Sequence, residues 1–256
     1  MKKALSKVLF TKATTSLMIL TVFLSACRRD DIDPTPQDIS CSDITSDVVW
    51  EDRGDGIDYT VDCIVNVRAK LSIAPGVTIQ FKSNAGIDIE NGGSLSAIGT
   101  IDKPIILKGD VDAAGVWKGL FFRSNNVLNE LNYCTVSNAG NSSFDGNTTK
   151  KANIRVANNA QLKIRNSTVS KSGKDGLYVD GLDFDAVNPI IVFSNNVFTN
   201  NQGYPISTIA ATGNVLDGTV SSFTGNTNNK VLIRGGRMSG AHTWKKLNVP
   251  YLIESI

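Results

Sequence analysis

Residues 71–100 read LSIAPGVTIQFKSNAGIDIENGGSLSAIGT, and this stretch is the most informative about the architecture of the chain. Apolar and polar residues alternate in short bursts such as 77–81 (VTIQF), and turn residues such as Pro75-Gly76 separate the bursts. Alternation with a period of two predicts half-buried β-strands. Because these bursts are too short for an ordinary sandwich, they favour a chain that coils, with each short strand lying on the equivalent strand of the next turn.

The spacing of apolar residues in this stretch also favours a coiled chain. The interval from Val77 to Leu95 is the same as the interval from Ile87 to Ile105. We therefore expect equivalent strands to recur at about this interval in the first coils. A repeat of this kind is typical of a solenoid, in which each coil contacts only its neighbours.

Later repeats are longer. The interval from Asn166 to Asn195 equals that from Val169 to Phe198, and a slightly shorter one separates Phe198 from Phe223. We expect the asparagines at matching turns to stack, with each amide hydrogen-bonded to the amide of the next coil. This interpretation gives them a structural role in preference to a binding role.

Composition and charge narrow the function classes. The 256 residues include 22 glycines and only 3 methionines, which is typical of a turn-rich β protein. The formal net charge of +2 gives no basic footprint for nucleic acid. His242 is the single histidine of the sequence. A multi-histidine metal site is therefore excluded, and any Ser-His-Asp triad would need His242.

The first 26 residues have the pattern of an export signal. A lysine-containing start precedes the apolar run 17–24, which is too short to span a bilayer as a stable helix. Residues 24–27 (LSAC) resemble a bacterial lipobox, in which cleavage precedes a cysteine that becomes lipid-modified. We therefore predict a lipoprotein signal peptide at 1–26 and a lipid anchor on Cys27, with outer-membrane lipid as its partner.

Residues 27–40 are polar and contain prolines, which predicts a flexible, extended tether between the anchor and the domain. The acidic residues directly after Cys27, in RRDDID (28–33), resemble the surface-export signal of Bacteroidetes lipoproteins. This resemblance implies a lipid-anchored protein on the outer face of the cell outer membrane.

Between residues 50 and 140 several motifs occur in a characteristic order: LSIAPGVTIQF, GGSLSAIGT, KPIIL, WKGL and LNYCTVSNAG. In this order the motifs resemble the right-handed parallel β-helix lipoproteins of Bacteroidetes and related bacteria, whose fold is similar to that of pectate lyases. The resemblance implies an all-β chain with a single right-handed parallel β-helix over residues 41–256.

Two segments depart from the repeat. Residues 138–151 are polar and contain glycine, which predicts a loop that projects from the solenoid. Residues 242–256 resemble the segment 50–61 at the start of the domain. In the family, such a segment commonly precedes a further block of coils. Residues 242–256 are therefore either a cap on the last coil or the start of a truncated second module.

Three cysteines follow Cys27. Cys41 and Cys63 flank the start of the domain, and the oxidising compartment implied by an export signal favours a disulfide between them. Cys134 lies in an alternating apolar run, so we expect it to behave as a small core residue.

The acidic side chains Asp180, Asp183 and Asp185 are the strongest candidates for a calcium site. Pectate-lyase-like enzymes use calcium-binding aspartates together with a basic residue that takes a proton from the sugar. In the family, however, these aspartates lie on successive coils, whereas here they share one turn. No catalytic residue transfers from the family, and a turn with solvated carboxylates is the simpler interpretation.

Aromatic side chains near this turn are candidates for stacking on sugar rings, and each could equally serve in packing. They are Tyr178, Phe184, Phe144 and Tyr204. The favoured hypothesis is a non-catalytic cell-surface lipoprotein that binds glycan or another envelope component, with no cofactor. The alternatives are a calcium-dependent polysaccharide lyase or other glycan-active enzyme, and a structural subunit of an outer-membrane assembly.

Overall fold

A computed structural model describes residues 35–181, 188–235 and 242–254. The predicted leader and lipid anchor, including Cys27, lie outside the described residues, as do Asp183, Phe184 and Asp185. Residues 33–256 form one unit of the chain. None of the helices in the described ranges has both the length and the apolar character of a membrane span.

Twenty-one short strands form three sheets in the described chain, numbered here in chain order. Sheet A contains β1 (Gln37–Asp38), β3 (Tyr59–Val61), β6 (Thr78–Phe81), β9 (Ile105–Gly109), β12 (Cys134–Ser137), β15 (Thr168–Ser170) and β18 (Val197–Thr199). Sheet B contains β4 (Ile64–Val67), β7 (Gly86–Ile89), β10 (Gly119–Phe122), β13 (Ala152–Val156), β16 (Asp175–Val179), β19 (Ile206–Thr208), β20 (Val231–Ile233) and β21 (Tyr251–Ile253). Sheet C contains β2 (Val48–Trp50), β5 (Lys70–Ile73), β8 (Ser94–Ile98), β11 (Glu130–Asn132), β14 (Leu162–Arg165) and β17 (Ile190–Ser194). Two short 3-10 helices, Thr148–Lys150 and Ala210–Asn214, interrupt the described strands.

From β2 to β19 the chain visits sheets C, A and B in strict rotation, and every strand pairing is parallel. One rotation is one coil, and the equivalent strands of successive coils lie side by side. The predicted all-β parallel β-helix is therefore confirmed. β structure begins inside the predicted tether, because Gln37 and Asp38 pair with Tyr59 and Thr60 in sheet A.

The first coils are longer than the interval from Val77 to Leu95 that the sequence predicted for them. The strand partner of Leu95 is Leu71, well before Val77, and Ile79 pairs with Leu107 across a still longer interval. The prediction was wrong because Leu95 belongs to sheet C whereas Val77 directly precedes a strand of sheet A. The longer interval predicted for the later repeats is confirmed, because Val169 pairs with Phe198.

The interior of the helix is filled by side chains that stack from coil to coil. Phe81 lies on Trp117 with ring centroids 3.9 Å apart and nearly parallel planes. Phe193, Phe198 and Phe223 form a second stack, with centroid distances of 5.8–6.1 Å. Burial of each such side chain contributes roughly 1.5–3 kcal/mol relative to exposure. Cys134 is buried in this core, as predicted.

Asparagine amides connect successive coils, as predicted. The Asn166 side chain donates to Asn132 at 2.9 Å, and Asn195 donates to Asn166 at 3.1 Å. Asn166 and Asn195 both have positive φ, a backbone conformation that asparagine tolerates better than most residues. A second, buried chain of amides includes Asn201 and Asn226, which the sequence did not single out.

A covalent bond at one end of the domain and strand pairing at the other connect the terminal segments to the neighbouring coils. A disulfide joins Cys41 to Cys63 at the N-terminal end. At the other end, β21 pairs with β20, and Trp244 packs against Tyr251. A cap and the start of a second module would both place a strand there, so the two interpretations of residues 242–256 stay predictions.

Candidate functional site

The outer face of sheet B carries a row of side chains on four successive coils. Neighbouring residues of a strand point to opposite faces of the sheet, so Asp88 points outward between the buried Ile87 and Ile89. Asp88, Phe121, Arg155 and Tyr178 pair in register across β7, β10, β13 and β16. Although this is the outer face, their exposed fractions are only 3%, 6%, 4% and 4%.

The segment 141–151, here called the cover segment, lies over this row. It connects β12 to β13 in the region predicted to be a projecting loop. Phe144 packs against Phe121 with ring centroids 5.4 Å apart, and Lys150 pairs with Asp180 at 3.3 Å. Instead of projecting, the cover segment buries the outer face of sheet B.

Arg155 is the centre of a charged network beneath the cover segment. Its Nε and Nη2 both donate to Asp180 Oδ2, at 3.0 and 2.8 Å, and Nη2 also donates to Asp145 Oδ2 at 2.8 Å. The hydrogen bond from Arg155 holds the pKa of Asp145 well below its usual range. Burial works to lower the pKa of Arg155, but the two carboxylates outweigh burial and raise it.

Arginine side chains also cover the aromatic rings of the row. The Arg123 and Arg155 guanidinium groups lie 4.8 and 4.3 Å from the Phe121 centroid, and that of Arg234 lies 4.1 Å from the Tyr178 centroid. Stacking of this kind stabilises the cation by about 0.5–2 kcal/mol. The ring of Tyr178 is therefore already occupied by a protein group.

Asp88 is the carboxylate among the four residues of the row. It pairs with Arg123, but burial dominates and raises the pKa of Asp88 to about 6. A buried carboxyl group with this pKa exchanges protons near neutral pH, which is a property of acid–base catalysts and also of structural carboxyl groups.

The predicted site residues lie in different environments. Asp180 is held by Arg155 and Lys150, and Tyr178 and Phe144 join it in the covered row. Tyr204 instead lies beside the opposite end of β16, where its N–H donates to Asp175. The calcium role of Asp180 and the glycan contact of Tyr178 both stay predictions.

One group of three metal-ligating side chains occurs among the described residues: Cys41, Asp62 and Cys63. Because the two sulfur atoms form a disulfide, they are not thiolates that could bind a metal ion. His242 lies outside this group, and its Nδ1 is 2.7 Å from the Asn214 side-chain amide.

A polar pocket of about 410 Å³ lies where the chain passes from sheet B to sheet C. Two successive turns line it, the turn after β10 and the turn between β13 and β14. We call it the amide pocket, because four of its five lining residues carry a side-chain amide. They are Asn125, Asn158, Asn159 and Gln161, together with Ala160.

The amide pocket adjoins the covered row. Arg123, whose side chain is 45% exposed, precedes the turn that supplies Asn125. On the next coil, Gly181 packs so closely against Asn158 that an added Cβ would lie 2.5 Å from the amide oxygen. The predicted calcium turn therefore begins beside the amide pocket.

Sequence reasoning missed Arg155 and the amide pocket. Arg155 occupies an outward-pointing position of the alternating strand ANIRV (152–156). A charged residue at such a position could have identified Arg155 from the sequence as a candidate. The run NNAQ (158–161) reads as an ordinary turn. Its neighbour Asn125 lies one full coil earlier in the sequence, so the pocket depends on the register of the coils.

The comparisons with known proteins agree with this fold. Residues 42–156 match a family model described as a pectate-lyase like beta helix domain. Neither the curated proteins nor the solved structures gave a match. The match covers the first coils of the β-helix, and parallel coils continue beyond it through β19 in the described chain.

Proposed function

We propose that this protein is a non-catalytic lipoprotein whose β-helix binds glycan through the amide pocket. The family description relates the scaffold to proteins that act on a polysaccharide. The proposal includes the anchor on Cys27, which would hold the protein to the outer membrane with the β-helix facing outward.

The amide pocket is the observation that carries the proposal. A side-chain amide offers both donors and acceptors, which matches the hydroxyl groups of a sugar. At about 410 Å³ the pocket lies within the usual range for small-molecule sites, roughly 300–1,000 Å³. Asn125 and Asn159 are exposed and can exchange water for ligand hydroxyls without rearrangement of the fold.

The state of the neighbouring carboxylates favours binding over catalysis. Asp88, Asp145 and Asp180 each pair with an arginine, so none is free to act on a substrate in this arrangement. A general base must reach the proton that it removes. Cys134 is also unsuited to nucleophilic attack, because burial raises the pKa of its thiol to about 12.

Electrophoresis through gels that contain a panel of polysaccharides, with and without calcium, tests the proposal. We expect at least one polysaccharide to retard the protein without loss of polysaccharide staining. The double variant Asn159→Ala/Gln161→Ala should migrate freely. The control variant Gln80→Ala removes an amide from sheet A, and it should migrate like the parent protein. Equal retardation of all three proteins would exclude the amide pocket as the binding site.

A calcium-dependent polysaccharide lyase is the second candidate. The outer face of sheet B favours it, because Asp88 lies two coils before Arg155 in the same row and Asp180 pairs with Arg155, so acidic and basic groups share one face. Movement of the cover segment would have to precede catalysis. A cleared zone that requires calcium and is abolished by Asp180→Ala would establish the lyase and overturn the binding proposal.

The anchor is tested separately from the ligand. Cys27→Ala should abolish incorporation of radiolabelled palmitate and release the protein from the membrane fraction. If no polysaccharide affects migration and the protein co-purifies stably with another envelope protein, the third hypothesis, a subunit of an outer-membrane assembly, replaces the binding proposal.

A further inference from the structure

Sheet C ends in an unpaired strand at the N-terminal end of the β-helix. In sheet A, β1 pairs beyond β3, and in sheet B Ile44 forms a bridge beyond β4. Sheet C has no such addition among the described residues, and β2 (Val48–Trp50) is its edge. No described strand therefore pairs with β2 on the side that faces away from β5.

The backbone of Val49 faces this open edge. The carbonyl of Trp50 accepts the Ala74 N–H at 2.9 Å, so Trp50 points its backbone groups toward β5. Backbone groups of successive strand residues alternate in direction, which turns the N–H and C=O of Val49 away from β5. The Val49 side chain is 51% exposed, so this edge carries an apolar group together with an N–H and a C=O that have no partner among the described residues.

A cavity of about 360 Å³ lies at this edge. Val48 and Trp50 line one part of it, and residues 37–40 and 42–46 line the rest. An extended peptide paired with β2 would project alternate side chains into such a cavity. This combination of a free strand edge and a side-chain cavity is typical of sites that bind a peptide by strand addition.

The acidic charge at the N-terminal end of the β-helix favours a positively charged partner. Residues 35–62 contain eight acidic residues and a single arginine. Asp38 lines the cavity and accepts a hydrogen bond from the Thr60 hydroxyl, and Asp47 accepts one from the Lys70 backbone N–H. Within the described chain no basic side chain forms an ion pair with Asp38 or Asp47, so their charges remain available to a cationic ligand.

We propose that β2 is a strand-addition site for an extended, positively charged segment of a partner protein. Backbone hydrogen bonds to Val49 would supply affinity, and the acidic rim would select lysine or arginine side chains. Open strand edges invite non-specific association, and charged surroundings restrict which strands can approach. This interaction is independent of the glycan-binding proposal.

Fluorescence anisotropy of a labelled short peptide of alternating lysine and valine tests the proposal with the whole purified protein. We expect saturable binding that weakens with salt, and at least tenfold weaker binding of a peptide of alternating glutamate and valine. Val49→Pro removes the outward N–H while the bonds to β5 remain, and should weaken binding at least tenfold. The matched control Val49→Thr keeps the N–H and should bind within about twofold of the parent protein.

A second measurement covers the case in which Val49→Pro disturbs the fold. N-methylation of alternate peptide amides removes the ligand's donors and leaves the protein unchanged, and it should also weaken binding at least tenfold. The proposal is overturned if the lysine peptide does not bind, if the glutamate peptide binds equally well, or if N-methylation has no effect in either alternate register.

Discussion

Arg155 and Asp180 lie on neighbouring coils, and two nitrogens of the arginine donate to one carboxylate oxygen at 3.0 and 2.8 Å. The Arg155 side chain is only 5% exposed. This pair and Asp145 connect β13, β16 and the cover segment. The ion pairs of Arg155 therefore keep the cover segment packed on the outer face of sheet B.

Loss of Asp180 should destabilise the protein, because Arg155 would keep a buried charge with one carboxylate fewer. We expect Asp180→Ala to lower the free energy of unfolding by roughly 3 kcal/mol. The double variant Asp180→Leu/Arg155→Met should recover most of this loss. Urea denaturation followed by circular dichroism measures both. A loss below about 1 kcal/mol for Asp180→Ala would show that Asp145 alone satisfies the arginine.

Opening of the cover segment should increase the rate at which a protease cleaves it. Phe144→Ala removes the ring that packs against Phe121, so the segment should open more often and expose the bonds after Lys150 and Lys151. We expect trypsin to cleave there several-fold faster than in the parent protein. Val127→Ala changes an exposed residue of another turn and is the control. Equal cleavage rates for the two variants would mean that Phe144 does not hold the segment.

Stability should depend on pH through Asp175. Burial raises the pKa of Asp175 to about 6, so between pH 4 and 6 the folded protein binds a proton that the unfolded chain does not. The stabilising contribution of this carboxyl group is therefore present at about pH 4 and is lost as the pH rises through 6.

Asp175→Asn is neutral at every pH and can still accept the Tyr204 N–H. Relative to the parent protein it should gain on the order of 2 kcal/mol in unfolding free energy between pH 4 and pH 8. Denaturation at the two pH values measures this gain. The exposed control Asp110→Asn should show no comparable gain. A gain as large as that of Asp175→Asn would show that the pH dependence does not arise from the burial of Asp175.

The buried amide chain should contribute more to stability than the exposed one. The Asn201 side chain accepts the Ser172 N–H and donates to Asn226, all within the core. Asn201→Ala leaves the buried Ser172 N–H without its acceptor and removes the side-chain hydrogen bond to Asn226, although Asn226 still accepts the Asn201 backbone N–H. We expect a loss of about 2–3 kcal/mol. Asn195→Gly removes an exposed amide at a positive φ that glycine accepts, and should cost less than about 1 kcal/mol. Similar losses for the two variants would contradict this distinction.

The sequence predicted the β-helix because alternation is a local signal. Coil length was harder to predict, since the first apolar interval joined strands of different sheets, whereas Val169 and Phe198 are true register partners. The candidate site was harder still. Tyr178 is an aromatic residue of the kind that stacks on sugar rings, but the Arg234 guanidinium lies over its ring and the residue is almost fully buried. Such coverage depends on which side chains a distant coil brings over the ring, and no local pattern encodes that.

Titration of the protein with a polysaccharide that retards it in gels distinguishes glycan binding in the amide pocket from glycan cleavage. Calorimetry should show saturable binding that Asn159→Ala/Gln161→Ala weakens at least tenfold and Gln80→Ala leaves unchanged. An assay of reducing ends on the same samples should show no chain cleavage with or without calcium. Calcium-dependent release of new reducing ends, or full binding by the double variant, would contradict a non-catalytic glycan site in the amide pocket.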